Sequence, residues 1–196
     1  MNGVAVFGHW GRPVLVFPSE GGDAWEFERQ GMTAAIGDLL AAGRVKLYCV
    51  DSGAGSAESW VVDEVVPFIH RDCGGLQEVI VTGPSLGAFH AASFALKRAD
   101  LFPLAICLSG VYDPLDWVAG LEGDHLEWLR GRLSVLLVCG QGQWEDTTGA
   151  LESTHRFAGQ LQAKGLRCEL DVWGYDVAHD WPWWRAQLAH HLPRFC

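Results

Sequence analysis

The sequence predicts an α/β fold, in which one domain (residues 1–196) holds a mostly parallel sheet with helices on both faces. Two observations support this prediction. Short, almost wholly apolar runs alternate with longer stretches of helical spacing, and no internal repeat interrupts the alternation. The length of 196 residues, with 49% hydrophobic and 19% charged residues, suits one globular domain with a sizeable core.

The apolar runs are the predicted strands, at residues 4–7, 13–17, 45–50, 79–82, 104–108, 135–138 and 166–172. The first two runs predict a hairpin or two adjacent strands, because only a short turn separates them. A turn cluster follows the third strand at residues 51–56. Because parallel strands end at one edge of a sheet, we expect the site in the loops at residues 19–23, 82–87, 140–146 and 174–180.

Helices are predicted between the strands, at residues 24–42, 57–71, 89–97, 149–164 and 182–192. A loop and a further helix share residues 114–131. Glycines close two of these helices, at Gly43 and Gly165. Pro67 is expected to kink or split the second helix, because proline lacks a backbone N–H.

Residues 83–87 read Gly-Pro-Ser-Leu-Gly, a G-x-S-x-G motif between a predicted strand and a predicted helix. A tight strand-to-helix turn strains the serine and exposes its hydroxyl, so Ser85 is the candidate nucleophile. A Cβ at Gly83 or Gly87 would collide with neighbouring backbone. The Leu86 N–H is a candidate donor to an oxyanion, aided by the helix N-terminus. A chance match in a glycine-rich chain is the alternative.

A serine hydroxyl needs a base within hydrogen-bond reach, and His179 follows the last predicted strand. A buried structural histidine is the alternative for this position. The remaining histidines lie in predicted helices, near the chain ends or in loops away from the expected site, and structural positions are favoured for all of them: His9, His70, His90, His125, His155, His190 and His191.

A carboxylate should orient the histidine, and the order Ser, acid, His is typical of this motif. Glu145 and Asp146 are adjacent in the loop after the penultimate strand, and we favour Glu145 while leaving Asp146 open. Asp113 and Asp176 are weaker candidates that read as turn residues.

A second oxyanion donor is expected from an early loop in which glycines let the backbone approach the substrate closely. Gly21 and Gly22 are the candidates for this backbone N–H. An ordinary turn is the alternative at this position.

The chain resembles the "putative esterase" branch of the α/β-hydrolase superfamily, which includes S-formylglutathione hydrolases, enterochelin esterases, feruloyl esterases and mycolyltransferases. The segments that carry the resemblance are residues 21–29, 83–88, 108–113 and 171–184. It implies an α/β-hydrolase fold with a minimal cap, the triad of Ser85, His179 and Glu145 or Asp146, and neither a metal nor an organic cofactor. Pro84 and Leu86 depart from the best-studied esterases, and the segment 114–131 is short for the branch. A small roof would leave the pocket open and shallow, or completed by a partner subunit.

The predicted function is therefore that of a serine hydrolase, a carboxylesterase that acts on a small ester or thioester through an acyl-enzyme. An acyltransferase would use the same residues with another acceptor. A non-catalytic protein of the same fold, binding a partner through its tryptophan-rich end, is the alternative from a different class.

Composition limits the partners and the location. The formal net charge of −10 argues against nucleic acid and anionic membranes as partners. The sequence has no run of about 20 apolar residues, no signal-peptide pattern and no C-x-x-C pair among its six cysteines, so we expect a cytoplasmic protein. An exposed aromatic face would favour a homodimer.

Overall fold

The computed structural model describes residues 3–52 and 58–196. Most of the turn cluster predicted at residues 51–56 lies outside the described residues, as does the first residue of the helix predicted at 57–71.

A seven-stranded sheet forms the centre of the protein. Its strands are β1 (Val4–Phe7), β2 (Arg12–Val16), β3 (Val45–Val50), β4 (Ile80–Pro84), β5 (Leu104–Leu108), β6 (Ser134–Cys139) and β7 (Arg167–Val172). Their order is β1-β3-β2-β4-β5-β6-β7. Only the β1–β3 pair among these strands is antiparallel. The predicted α/β class is confirmed. The adjacent strands β2, β4, β5, β6 and β7 are parallel, so the loops that follow them lie at one edge of the sheet.

The α-helices of the described chain are α1 (Glu26–Arg29), α2 (Met32–Ala35), α3 (Gly37–Ala41), α4 (Glu58–Trp60), α5 (Val66–Asp72), α6 (Leu86–Lys97), α7 (Gly123–Arg132), α8 (Gln143–Asp146), α9 (Ala150–Ala163) and α10 (Trp181–His191). A π-helical turn joins α4 to α5, and 3₁₀ segments cover Asp113–Gly120 and Leu192–Phe195.

The predicted hairpin at the start of the chain is wrong, because β3 lies between β1 and β2. Burial explains the arrangement. Four consecutive residues of β2 are buried, as a strand covered on both faces requires, whereas β1 has an exposed position at Val6 and suits the sheet edge.

The long helix predicted at 24–42 is also wrong, because three short helices occupy this stretch. Gly31 has a positive φ of 72° and Ile36 a non-helical φ of −114°, and each interrupts the helical hydrogen bonds. Around Pro67 the helix continues, but residues Val61–Val65 form a π-helical turn just before the proline. A missing N–H in the next turn favours such local widening.

Two hydrophobic clusters hold the helices against the two faces of the sheet. Alternate residues of β2 and the residue that follows it show the division, since Leu15 and Phe17 belong to one cluster and Val14 and Val16 to the other. The sheet therefore forms a packed support for the loops at its carboxyl edge. No helix within residues 3–52 and 58–196 combines the length and the apolar character needed to cross a membrane.

Candidate active site

Ser85 lies at the sharp turn between β4 and α6, with φ 54° and ψ −118°. Within the described chain, only Ser85 and Ser109 are non-glycine residues with positive φ. Such strain persists only where the surroundings impose it. Here the Ser85 N–H donates to the Leu108 carbonyl at 2.8 Å, and the Ser85 carbonyl accepts from the Ala88 N–H at 3.0 Å. The serine side chain is partly exposed at the carboxyl edge of the sheet.

The flanking glycines allow this turn to touch the end of β2. A Cβ added at either Gly83 or Gly87 would collide with the carbonyl oxygen of Phe17, and one at Gly87 also with that of Pro18. A Cβ at Gly83 would in addition strike the backbone of Gly87. The structure therefore agrees with the steric reason expected for both glycines.

Glu145 and His179 meet across the loops after β6 and β7. The Glu145 Oε1 atom lies 3.2 Å from His179 Nδ1, and Oε2 accepts from the Gly140 N–H at 3.2 Å. Glu145 is fully buried, whereas Asp146 is exposed. Of the two adjacent carboxylates that the sequence left open, the structure brings Glu145 to the histidine and turns Asp146 to solvent.

The His179 ring is held from a second side by Trp184, whose ring stands nearly perpendicular to it at a centroid distance of 5.0 Å. The backbone N–H of His179 also donates to the Trp144 carbonyl at 3.4 Å. With Nδ1 bonded to Glu145, Nε2 is the nitrogen left for proton transfer. Within residues 3–52 and 58–196 no hydrogen bond joins Ser85 Oγ to this ring, and catalytic hydrogen bonds of this kind commonly tighten only with substrate.

The candidate oxyanion donors differ in their availability. Leu86 is the first residue of α6, and its N–H and that of Gly21 have no hydrogen-bond partner in the described part of the chain. The Gly22 N–H donates to the Ser19 carbonyl at 3.0 Å in a turn. The Glu26 carboxylate holds this loop by accepting from the Ser19 N–H at 2.8 Å and the Ser19 hydroxyl at 2.6 Å.

Two of the other histidines, His90 and His191, pack within the fold. His90 packs between Phe17 and Phe89, and burial lowers its pKa. His191 lies 2.9 Å from Asp171, and burial likewise lowers the pKa of His191. In the described residues, no group of three or more His, Cys, Asp or Glu side chains is arranged to hold a metal ion.

Sequence reasoning missed the unusual character of Ser109. This residue directly follows β5, the strand beside the sharp β4–α6 turn that holds Ser85, which we call the elbow. Its backbone is strained at φ 53°, and its buried hydroxyl has no partner in the described chain. The Ser-Gly pair at the end of a wholly apolar strand was the signal that could have drawn attention to it.

The described residues line a cavity of about 620 Å³ that lies away from the candidate catalytic residues, at the amino edge of the sheet. Trp10, Lys46 and Asp72 are in its wall. Two smaller cavities, of about 380 and 180 Å³, also have none of Ser85, Glu145 or His179 in their walls. Above the elbow, the described chain between β5 and α7 has only the 3₁₀ segment Asp113–Gly120, in keeping with the small roof expected from the sequence.

Comparison with known proteins identifies a family and a shared fold. The family model described as "Putative esterase" matches residues 41–195. None of the curated protein sequences compared with the chain is significantly similar to it.

Solved structures are similar at low sequence identity. A ferulic acid esterase has a TM-score of 0.83 at 15% identity, over 98% of this chain and 91% of that one. The fluorophosphonate-binding serine hydrolase FphF of Staphylococcus aureus has a TM-score of 0.72 at 13% identity, over 94% of this chain and 83% of that one. The S-formylglutathione hydrolase FrmB of Staphylococcus aureus has a TM-score of 0.70 at 15% identity, over 97% of this chain and 82% of that one. The predicted α/β-hydrolase fold is thereby confirmed.

Proposed function

The chain belongs to the "Putative esterase" family and is a serine esterase, and from this premise we propose that it hydrolyses a small carboxylic ester or thioester through an acyl-enzyme on Ser85. The observation that carries the proposal is the pairing of Glu145 with His179 Nδ1, because it leaves Nε2 as the free ring nitrogen of a histidine whose loop lies at the same edge of the sheet as the strained serine.

In the proposed first step, His179 Nε2 accepts the proton of the Ser85 hydroxyl as the oxygen attacks the substrate carbonyl. The buried Glu145 carboxylate keeps the proton of the ring on Nδ1 and stabilises the imidazolium that forms. His179 then gives its proton to the leaving alcohol or thiol, and the acyl group remains on Ser85.

In the proposed second step, His179 removes a proton from water as the water oxygen attacks the acyl-enzyme carbonyl. His179 then returns this proton to Ser85 Oγ as the bond between Oγ and the acyl group breaks and the acid leaves. The amides of Leu86 and Gly21 bind the oxyanion in both steps, because both N–H groups are unpaired in the described chain. The Gly22 N–H is already used in the turn to the Ser19 carbonyl, so Gly22 shapes this loop and does not itself donate to the oxyanion.

Water is the proposed acceptor, since the edge that carries Ser85 has only a small roof. An acyltransferase would differ in the acceptor alone. Adding short alcohols during turnover of an aryl ester separates the two: free acid as the main product supports hydrolysis, and preferential formation of the alkyl ester supports transfer.

A fluorophosphonate probe tests the proposal, because it labels only an activated serine. We expect labelling of the wild-type chain at Ser85, found by peptide mass spectrometry, and its loss in both Ser85→Ala and His179→Ala. Ser93→Ala, which changes a helical serine of α6, is the matched control and should be labelled normally. A folded wild-type protein that remains unlabelled would contradict the proposal and favour the non-catalytic alternative.

The extent of the domain (residues 1–196), the cytoplasmic location and the homodimer stay predictions. Size-exclusion chromatography with light scattering measures the oligomeric state directly.

A further inference from the structure

The loops around Ser85 share an unusual composition. We define the catalytic rim as residues 17–31, 109–122, 140–149 and 173–180, the segments that follow β2, β5, β6 and β7. Together they contain eleven Asp and Glu residues, one arginine and no lysine. The arginine, Arg29, is paired with Asp23 at 2.9 Å. Two further arginines reach the rim, since Arg156 pairs with Asp113 and Arg185 donates to the Gln30 carbonyl at 2.8 Å. Eleven carboxylates still outnumber the three arginines, so the potential at this edge is negative.

Each of the four rim segments also carries one large aromatic side chain exposed to solvent. These side chains are Trp25, Trp117, Trp144 and Tyr175, with exposed fractions of 54%, 41%, 60% and 77%. In each segment an acidic residue lies one or two positions from the aromatic one, and these acids are Asp23, Asp116, Asp146 and Asp176. Each rim segment therefore carries an exposed aromatic side chain and an acidic residue within two positions of each other, and the segment of Trp144 touches that of His179, whose backbone N–H donates to the Trp144 carbonyl at 3.4 Å.

Local contacts account for some of these acids, since Asp23 accepts from the Trp25 N–H at 2.9 Å and Asp113 pairs with Arg156, but not for all of them. Asp180 does cap a helix, since its carboxylate accepts from the Trp181 N–H at 2.7 Å. Glu20 and Asp176, in contrast, lie in loops, are exposed, and have no Lys or Arg partner within the described residues. Exposed aromatic faces close to unpaired carboxylates bind organic cations, through the ring quadrupole and through direct charge attraction.

We propose that the substrate is a cationic ester, one that carries a quaternary ammonium or protonated amine which the catalytic rim attracts and holds while Ser85 meets the carbonyl. This inference rests on the proposed function and specifies its substrate class. It excludes anionic esters as good substrates, because the excess of carboxylates at the rim would repel them.

The test compares acetylcholine with 3,3-dimethylbutyl acetate, which has the same shape and no charge. We expect kcat/KM to be roughly tenfold higher for the cationic ester at low salt, a factor in the range of cation–π contacts. Raising the salt from about 0.01 M to about 0.5 M should remove most of that preference and leave the neutral ester unaffected.

Two variants locate the effect. Tyr175→Leu and Asp176→Asn should each lower kcat/KM for the cationic ester about threefold to tenfold and leave the neutral ester unchanged, since Tyr175 is 77% exposed and neither side chain contacts Glu145 or His179 in the described residues. Trp10→Leu is the matched control, because Trp10 is also exposed (67%) but lies at the opposite edge. Equal rates on the two esters, or a preference that survives high salt and both rim variants, would overturn the inference and leave the proposed function standing.

A binding measurement keeps the inference testable if no ester is turned over. Tryptophan fluorescence of the Ser85→Ala variant should report binding of choline about tenfold tighter than that of 3,3-dimethylbutanol. Equal affinities for the cation and its neutral analogue would contradict the inference, whatever the outcome of the fluorophosphonate experiment.

Discussion

The two edges of the central sheet differ in charge and in the use of their polar side chains. Ten of the fourteen Lys and Arg residues lie at the amino edge, in segments 8–12, 43–46, 71–79, 97–103, 130–134 and 163–167, with only three Asp and Glu residues. The carboxyl edge has the opposite composition. Helices that return antiparallel to the strands end at the amino edge, where their partial negative charges favour cations.

The polar contacts at the two edges also differ. At the amino edge, Lys46 pairs with Asp72 at 2.5 Å, and Asp72 accepts from the Tyr48 hydroxyl at 2.7 Å, so both of these side-chain charges have partners. At the carboxyl edge, the Ser109 hydroxyl has no partner within residues 3–52 and 58–196, and Ser85 has a strained backbone. Satisfied polar groups stabilise a fold, whereas strained and unpaired ones mark a site of chemistry.

The largest effect should come from the buried acid of the carboxyl edge. Glu145→Gln should lower kcat on a neutral aryl ester by roughly 10⁴-fold, because the amide cannot hold the imidazolium or fix its tautomer. Asp146→Asn, the neighbouring exposed carboxylate, should change kcat by no more than about threefold. Steady-state kinetics measure both, and equal losses in the two variants would contradict the assignment.

Replacing an elbow glycine should break the geometry of that edge. Gly87→Ala should destabilise the protein by about 3 kcal/mol, since the new Cβ would meet two backbone carbonyl oxygens that cannot move freely. Gly159→Ala is the control, because this helical glycine has open space around it. The free energy of unfolding of this variant should rise by about 0.8 kcal/mol. Urea unfolding measures both, and equal stabilities of the two variants would show that the elbow relaxes.

At the amino edge we expect loss of stability without loss of catalysis. Asp72→Asn should cost about 2 kcal/mol, because it leaves the Lys46 ammonium, whose side chain is 12% exposed, without its partner. Asp100→Asn, which breaks the more exposed pair with Arg98, should cost less than about 1 kcal/mol. Thermal unfolding and ester hydrolysis are measured together, and a fall in kcat/KM for Asp72→Asn would contradict the separation of the two edges.

The smallest effect concerns His90, which lies on α6 between the two edges. Burial lowers the pKa of His90, so the unfolded chain binds this proton more tightly than the folded protein. Stability should therefore fall as the pH drops below about 6.5, the ordinary pKa of histidine. His90→Phe should lessen the drop in Tm between about pH 7.5 and pH 5.5, whereas His155→Phe, at an exposed helical position, should not.

The elements that the sequence predicted well depend on local patterns. The strands from Val45 onward and α6, α9 and α10 lie within a few residues of their predicted bounds, because apolar runs and capping glycines act over a few neighbours. The early hairpin and the long helix at 24–42 failed. Strand order depends on partners far along the chain, and Gly31 breaks a pattern that hydrophobic spacing alone suggested.

The chemical types of the site were determined by the sequence itself, since G-x-S-x-G between strand and helix, followed by an acid and a histidine in order, requires no coordinates. The tertiary structure decided between Glu145 and Asp146, because which carboxylate points inward depends on how the loop after β6 packs against Val177 and His179. It also revealed Ser109 and the catalytic rim. Side chains from four separate loops become neighbours only when parallel strands deliver them to one edge, and such proximity is not encoded in any local stretch of sequence.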